Sequence, residues 1–111
     1  MFKSTLSLIL LVTNLSVANA ALAAVTSYSL VVKAGHFEPE TIKVPANTEF
    51  KLVVTNQGPG AEEFESKQLR KETIIAEGAT RTLTIKPLKP GTYKFVGEFH
   101  EDTARGQIIA E

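Results

Sequence analysis

After residue 24, apolar and polar side chains alternate in short runs with the two-residue period of β-strands. The clearest case is 49–56, where Phe50, Leu52 and Val54 occupy every second position. Similar runs, rich in Val, Ile, Thr, Phe and Tyr, lie at 28–33, 41–44, 62–66, 72–78, 80–86, 91–96 and 106–111. Pro, Gly and Asn separate them about every 8 to 12 residues. The pattern predicts an all-β protein, a Greek-key sandwich or barrel of about 7–8 strands.

The first 23 residues do not share this pattern. A single Lys3 precedes an apolar run at 6–12, and the small-x-small triplets 18–20 and 21–23 follow. These features are typical of a secretory signal peptide that is cleaved after Ala20 or Ala23. The apolar run is shorter than the roughly 20 residues that span a membrane. The sequence therefore predicts one exported, periplasmic domain at 24–111 that is not an integral membrane protein.

Composition excludes several classes of function. The chain has 12 basic and 12 acidic residues, so no basic excess favours nucleic acid as a partner. It contains no cysteine, and therefore neither a disulfide nor a cysteine nucleophile. Neither a G-x-S-x-G motif nor a glycine-rich phosphate loop is present. No catalytic residue is predicted, and the remaining candidate chemistry is metal binding.

Two acidic groups contain the candidate metal ligands. One, at 62–65, follows a loop rich in glycine, and the other, at 98–102, surrounds His100. Imidazole with carboxylates suits iron, zinc or Cu(II) better than Cu(I). The alternative is that both groups are ordinary solvated segments and that His100 is an exposed polar residue. Because adjacent strand residues point to opposite faces, spacing leaves open whether Glu62 or Glu63 faces the site.

The run GTYKFVGEFHEDTARG resembles the last-strand signature of cupredoxins, G-x-Y-x-[FY]-x-C-x-x-H followed by a glycine. Gly91, Tyr93 and Phe95 fit this signature. His100 matches its histidine, and Gly97 stands where the copper-binding cysteine would be. Upstream, FEPETIKVPANTEFKLVVTNQG resembles the cupredoxin pattern, with an asparagine in place of the usual glycine. The resemblance covers nearly all of the predicted domain and implies a cupredoxin-like fold.

A type 1 blue-copper site is inconsistent with this sequence. Such a site uses two histidines, a cysteine and usually a methionine. Gly97 removes the thiolate, and the only methionine is Met1, in the predicted signal peptide. A bound copper or iron ion would therefore occupy a non-blue site, and a fold with no metal at all is the alternative.

The segments EEFES and GEFHEDTARG are similar to a cupredoxin subgroup associated with bacterial high-affinity iron uptake. The resemblance implies copper or iron binding and assistance of Fe(II) oxidation. It also implies two partners, an inner-membrane iron permease and a periplasmic iron-binding protein. The matching ligand positions are Glu63, Glu65, Glu98, His100 and Asp102, with Glu63 and His100 bound directly to the metal. The alternative function is a metal-free interaction module whose carboxylates form an acidic docking face.

Overall fold

The computed structural model describes residues 24–111, so the predicted signal peptide lies outside the described residues. This region contains nine β-strands and one 3₁₀ turn: β1 Thr26–Lys33, β2 His36–Glu38, β3 Thr41–Val44, β4 Phe50–Asn56, β5 Glu62–Ser66, β6 Lys71–Ile75, β7 Thr80–Ile85, β8 Gly91–Gly97, the 3₁₀ turn Glu98–His100 and β9 Arg105–Ala110. Within it, no helix is long and apolar enough to cross a membrane. The all-β prediction is confirmed, and the short β2 is the strand that the sequence pattern did not predict.

The strands form two sheets that enclose a common core. The first has the order β2-β1-β4-β7 and the second the order β3-β9-β8-β5-β6. β1 pairs with β4 and β3 with β9 in parallel, whereas the other neighbouring strands are antiparallel. Because parallel neighbours cannot be joined by a tight hairpin, the chain has to cross between the sheets. The result is the predicted Greek-key sandwich.

Aromatic side chains from both sheets fill the core. The ring of Phe37, on β2, lies edge-on to Phe95 on β8, with a centroid separation of 5.0 Å. Phe64 on β5 packs against Phe95 at 5.3 Å. All three are at most 3% exposed, and burying each such side chain contributes on the order of 2 to 3 kcal/mol. This cluster fixes the mutual placement of β5, which carries one acidic group, and β8, which leads into the other.

Asn56, the last residue of β4, organises the loop that leads into β5. Its buried amide nitrogen donates to the carbonyls of Gly60, at 2.8 Å, and Ile75, at 2.9 Å. Its Oδ1 accepts the backbone N–H of Gly58 at 2.8 Å. Gly58 and Gly60 adopt φ of +77° and +79°, a region that glycine enters without steric cost. These contacts therefore favour one register for β5 beside β8.

Candidate metal centre

β8 ends at Gly97, and a tight turn carries the chain into β9. The N–H of Gly97 donates to the carbonyl of Ala104 at 2.8 Å, and the N–H of Ala104 donates to the carbonyl of His100 at 2.8 Å. The hydroxyl of Thr103 donates to the carbonyl of Gly35 at 2.6 Å, which ties the turn to the loop between β1 and β2. These bonds fix the backbone on either side of His100 at one end of the sandwich.

Glu62 on β5 is the partner of His100. Its side chain is only 3% exposed, and its Oε2 lies 2.6 Å from Nδ1 of His100. Its Oε1 accepts the backbone N–H groups of Phe99, at 2.9 Å, and Glu63, at 3.0 Å. Both oxygens of the carboxylate therefore have protein partners, as a buried charge requires. Across residues 24–111 this is the one contact below 4.0 Å between a carboxylate and a histidine, lysine or arginine side chain.

The Glu62 carboxylate fills the space beside Gly97. A Cβ at position 97 would lie 2.8 Å from Cδ of Glu62 and 2.8 Å from Cβ of Ala104, closer than these atoms can approach. A cysteine at this position would collide with the carboxylate. The donors at this interior position are one carboxylate and one imidazole, and the sequence contains no thiolate. A type 1 copper centre does not fit these residues, in agreement with the prediction from the sequence.

A second group of carboxylates lies on the outer face of the five-stranded sheet. Along β5 the buried residues alternate with Glu63 and Glu65, which are half-buried. Glu65 is directly opposite Glu72 in the antiparallel pair of β5 and β6. Like charges in such a cross-strand position repel each other. The register therefore brings acidic side chains together on this face.

The end of β8 adds a further carboxylate to the same face. Phe64 is opposite Gly97 in the pairing of β5 with β8, so Glu63 lies beside the next residue of that chain, Glu98. One carboxylate oxygen each from Glu63, Glu72 and Glu98 lies within 4.8 Å of the others. No lysine or arginine in the described region lies within 4.0 Å of these carboxylates. We call Glu63, Glu65, Glu72 and Glu98 the outer carboxylates.

The crowding changes the protonation of the outer carboxylates. A hydrogen bond with Glu65, partial desolvation and the negative charges of Glu65 and Glu63 raise the pKa of Glu98 to about 7. A hydrogen bond with Glu63, the charge of Glu63, desolvation and the charge of Glu65 also raise the pKa of Glu72. At neutral pH the group therefore retains a proton that relieves part of the repulsion. A bound cation would relieve the same repulsion.

The structure separates the five residues that the sequence predicted as ligands. Glu63, Glu65 and Glu98 belong to the outer carboxylates. His100 belongs instead to the buried pair with Glu62, and Asp102 is exposed in the turn that follows. Glu63 is therefore not the residue that holds His100. Whether any of these five residues binds a metal stays a prediction.

Two further acidic residues are central to this arrangement: sequence reasoning left Glu62 as an open alternative to Glu63, and it did not identify Glu72. Glu62 shares the inward face of β5 with Phe64, and that apolar residue was the available signal for its burial. Glu72 joins the outer carboxylates only through the register of β6 against β5. No local pattern in the sequence encodes that register, because the turn between these strands has no strong signature.

Similarity to known proteins was found at the level of sequence and of fold. The chain is 39% identical over 80 residues to an uncharacterized protein of Rickettsia prowazekii (strain Madrid E). The match covers 72% of this chain and 64% of the relative, slightly less than two thirds of its length.

Solved structures with the same fold include a Cu(I)-bound metal-binding domain and an auracyanin. The metal-binding domain of the Cu(I)-exporting P-type ATPase CopA of Streptococcus pneumoniae D39, with Cu(I), is 12% identical, with a TM-score of 0.70, and the match covers 81% of this chain and 90% of that one. Auracyanin of Roseiflexus castenholzii is 12% identical, with a TM-score of 0.63, and the match covers 80% and 98%. At these identities the likeness shows the fold alone.

The family of this chain follows from its sequence. Residues 6–110 match the family described as the cupredoxin-like domain. Since that match extends over nearly the whole sequence, this chain belongs to the cupredoxin-like domain family.

Proposed function

We propose that this protein is a non-blue, metal-binding member of its family that binds a hard transition-metal ion, iron above all, at the outer carboxylates. The observation that carries the proposal is the approach of Glu63, Glu72 and Glu98, whose oxygens lie within 4.8 Å of one another, with no lysine or arginine of residues 24–111 within 4.0 Å. The fold holds these like charges close together, and the repulsion costs free energy. A bound cation would remove that cost. Glu63, Glu72 and Glu98 are the proposed ligands, with Glu65 beside them.

The chemistry of the donors favours iron over Cu(I). Carboxylate oxygens are hard ligands, whereas Cu(I) is selected by thiolates and thioethers, and the sequence has no cysteine. Oxygen ligands also favour the ferric over the ferrous state, which is consistent with assistance of iron oxidation. Cu(II) is the competing cation, because first-row affinities rise toward copper. The copper in the names of the structural neighbours supports testing it.

The biological setting follows from the resemblance and the N-terminal sequence. The similarity of EEFES and GEFHEDTARG to the iron-uptake subgroup supports an accessory role in ferrous or ferric iron uptake. The signal-like segment before Ala24 supports export to the periplasm. An inner-membrane iron permease and a periplasmic iron-binding protein are the proposed partners.

The structure limits how His100 could bind a metal ion directly. Nδ1 is occupied by Glu62, so His100 can bind the same or another ion only through Nε2. The His100 side chain as a whole is 45% exposed. Asp102, which is also exposed, lies two residues later in the same turn. His100 and Asp102 are therefore proposed as secondary ligands.

Metal titration of the purified protein tests the proposal. Calorimetry with anaerobic Fe(II), and separately with Cu(II), should show one ion per chain. Glu63→Gln and Glu98→Gln should abolish the heat. Glu49→Gln should not, because Glu49 is an exposed acid outside the group. Loss of binding in His100→Ala but not in Glu63→Gln would contradict the outer site.

A metal-free docking module remains the second candidate function. The Glu62 carboxylate and the His100 imidazole satisfy each other at the interior position, so the fold is complete there without an ion. In this case the outer carboxylates would contact a basic partner, and electrostatics would set the encounter rate. No heat with either metal, together with normal folding of the protein, would favour this function.

A further inference from the structure

We infer that Glu62 is the positioning residue of His100, taking over in this chain the ordering role of a metal ion. Its carboxylate fills the interior, holds the turn between β8 and β9 on β5, and fixes the imidazole with Nδ1 inward. Nε2 is then the ring nitrogen with a free lone pair, available to a divalent transition-metal ion. The inference concerns the metal-free protein, and it does not depend on the proposed function of the outer carboxylates.

The first step of the argument is space. Gly97 has no side chain, and the volume that a Cβ would occupy is taken by the carboxylate carbon of Glu62 and the methyl group of Ala104. Glu62 and Gly97 are therefore complementary. A side chain at 97 would require the carboxylate to leave, and removal of the carboxylate would leave a gap.

The second step is hydrogen bonding. Oε1 of Glu62 accepts two backbone N–H groups, one from Phe99 in the turn and one from Glu63 on β5. A single buried oxygen therefore joins the turn to the strand. Two N–H donors complement the negative charge of the carboxylate, so Oε2 is the acceptor for Nδ1–H of His100.

The third step is the orientation of the ring. The edge formed by Cγ and Cδ2 lies over Gly35, where a Cβ would be 3.3 Å from both atoms. Nδ1 is bonded to Glu62 and this edge lies on Gly35, while the side chain as a whole is 45% exposed. A carboxylate on one imidazole nitrogen fixes the tautomer and increases the basicity of the other nitrogen. The arrangement prepares Nε2 for ligation.

The tautomer of His100 in the metal-free protein is the direct test. Long-range ¹H–¹⁵N correlation spectra, recorded in EDTA at a pH of about 9 where imidazole is neutral, report which nitrogen carries the proton. We expect Nδ1–H for His100. His36, which is exposed, is the internal control and should show the tautomer mixture of free histidine. A His100 pattern that matches His36 would overturn the inference.

Amide exchange tests whether Glu62 orders the turn. In metal-free protein the N–H of Phe99 should exchange slowly. Glu62→Ala should accelerate it at least tenfold, and Glu62→Gln, which keeps the size and one acceptor oxygen, by less. Glu101→Ala, at an exposed side chain in the same turn, is the matched control and should leave the rate unchanged. Fast exchange of the Phe99 N–H in metal-free wild type, or an unchanged rate in Glu62→Ala, would overturn the inference. Because EDTA is present throughout, failure of the outer metal site does not affect either measurement.

Discussion

Glu65 and Glu72 face each other directly across the antiparallel pair of β5 and β6, two negative charges in a position that sheets usually fill with complementary groups. Glu98 and Glu63 extend the repulsion toward the end of β8. Such an arrangement lowers the stability of the fold when every group is ionised. It therefore makes the outer carboxylates sensitive to pH, to substitution and to cations.

Stability should fall as pH rises from about 5 to about 8. The pKa of Glu98 is about 7 in the folded protein and near 4.5 in the unfolded chain. Between these values the folded state binds more protons than the unfolded state, so the free energy of unfolding decreases with rising pH. The raised pKa of Glu72 acts in the same direction. Thermal melts at low ionic strength, compared between wild type and Glu98→Gln, isolate this contribution.

The difference in melting temperature between wild type and Glu98→Gln, followed across pH, tests whether repulsion at Glu98 causes the loss of stability. Carboxylates away from this group contribute equally to the pH dependence of both proteins, whereas only wild type carries the charge of Glu98 and its repulsion with Glu63 and Glu65. We expect the melting temperature of Glu98→Gln to gain on that of wild type above about pH 6. Curves that stay parallel from pH 5 to pH 8 would contradict the repulsion among the outer carboxylates. Glu49→Gln, which removes an exposed carboxylate outside this group, provides the matched control.

Cation binding near pH 7 should release protons. Ligation requires ionised carboxylates, and the pKa of Glu98 of about 7 leaves this group partly protonated in the free protein. Calorimetric titrations in buffers with different ionisation enthalpies measure the number released. We expect up to about one proton per ion at pH 6, decreasing toward zero at pH 8.5. Binding with no proton release at pH 6 would place the ion away from Glu98.

Reversing the charge at Glu72 should stabilise the fold and remove the cation. Glu72→Lys places an ammonium opposite Glu65 and beside Glu63, so attraction replaces repulsion. The melting temperature should rise at pH 8, and the affinity for Fe(II) should fall at least about tenfold. Lys51→Glu, an exposed charge reversal on β4 in the other sheet, is the control. Unchanged metal affinity in Glu72→Lys would remove Glu72 from the ligand set.

Filling the space at Gly97 should destabilise the protein through Glu62. The Cβ of Gly97→Ala would be 2.8 Å from Glu62 and 2.8 Å from Ala104, an overpacking that costs about 1 to 3 kcal/mol. In a Glu62→Ala background the collision with the carboxylate is absent, so Gly97→Ala should cost less. Urea unfolding of the four proteins gives the coupling. Strictly additive losses would show that Glu62 does not occupy this space.

The sequence was sufficient for the fold and for part of the site, for reasons visible in particular residues. The alternation of Phe50, Leu52 and Val54 encodes a strand with one buried face, and the structure buries all three. The same alternation places Glu62 on the buried face with Phe64. A charged residue is rarely fully buried, however, so spacing alone favoured neither Glu62 nor Glu63.

Contacts between distant strands limited the rest of the prediction. The pair formed by Glu62 and His100 joins residues that are 38 apart in sequence, and Glu72 reaches the outer carboxylates through the register of β6. Both depend on how two sheets pack and on which residues pair. Sheet packing and strand register are set by tertiary contacts, such as the packing of Phe64 against Phe95 in the core.

Removing the side-chain amide of Asn56 should destabilise the fold and weaken the placement of β5, the strand that carries Glu63 and Glu65. Asn56→Ala deletes two donors and one acceptor that are buried beneath the loop, and it leaves the carbonyl of Ile75 without this partner. The expected loss in the free energy of unfolding is about 2 to 4 kcal/mol, since each bond is worth about 1 kcal/mol and unsatisfied buried groups add to the cost. Urea unfolding measures it.

The same variant tests whether this loop sets the register of β5. If it does, the amide of Phe99, which is bonded to Glu62, should exchange faster in Asn56→Ala under conditions where the protein is fully folded. Thr48→Ala, which removes an exposed hydroxyl hydrogen bond in a different turn, is the matched control and should leave the Phe99 rate unchanged. A destabilised Asn56→Ala with a protected Phe99 amide would mean that the aromatic core alone holds β5 against β8.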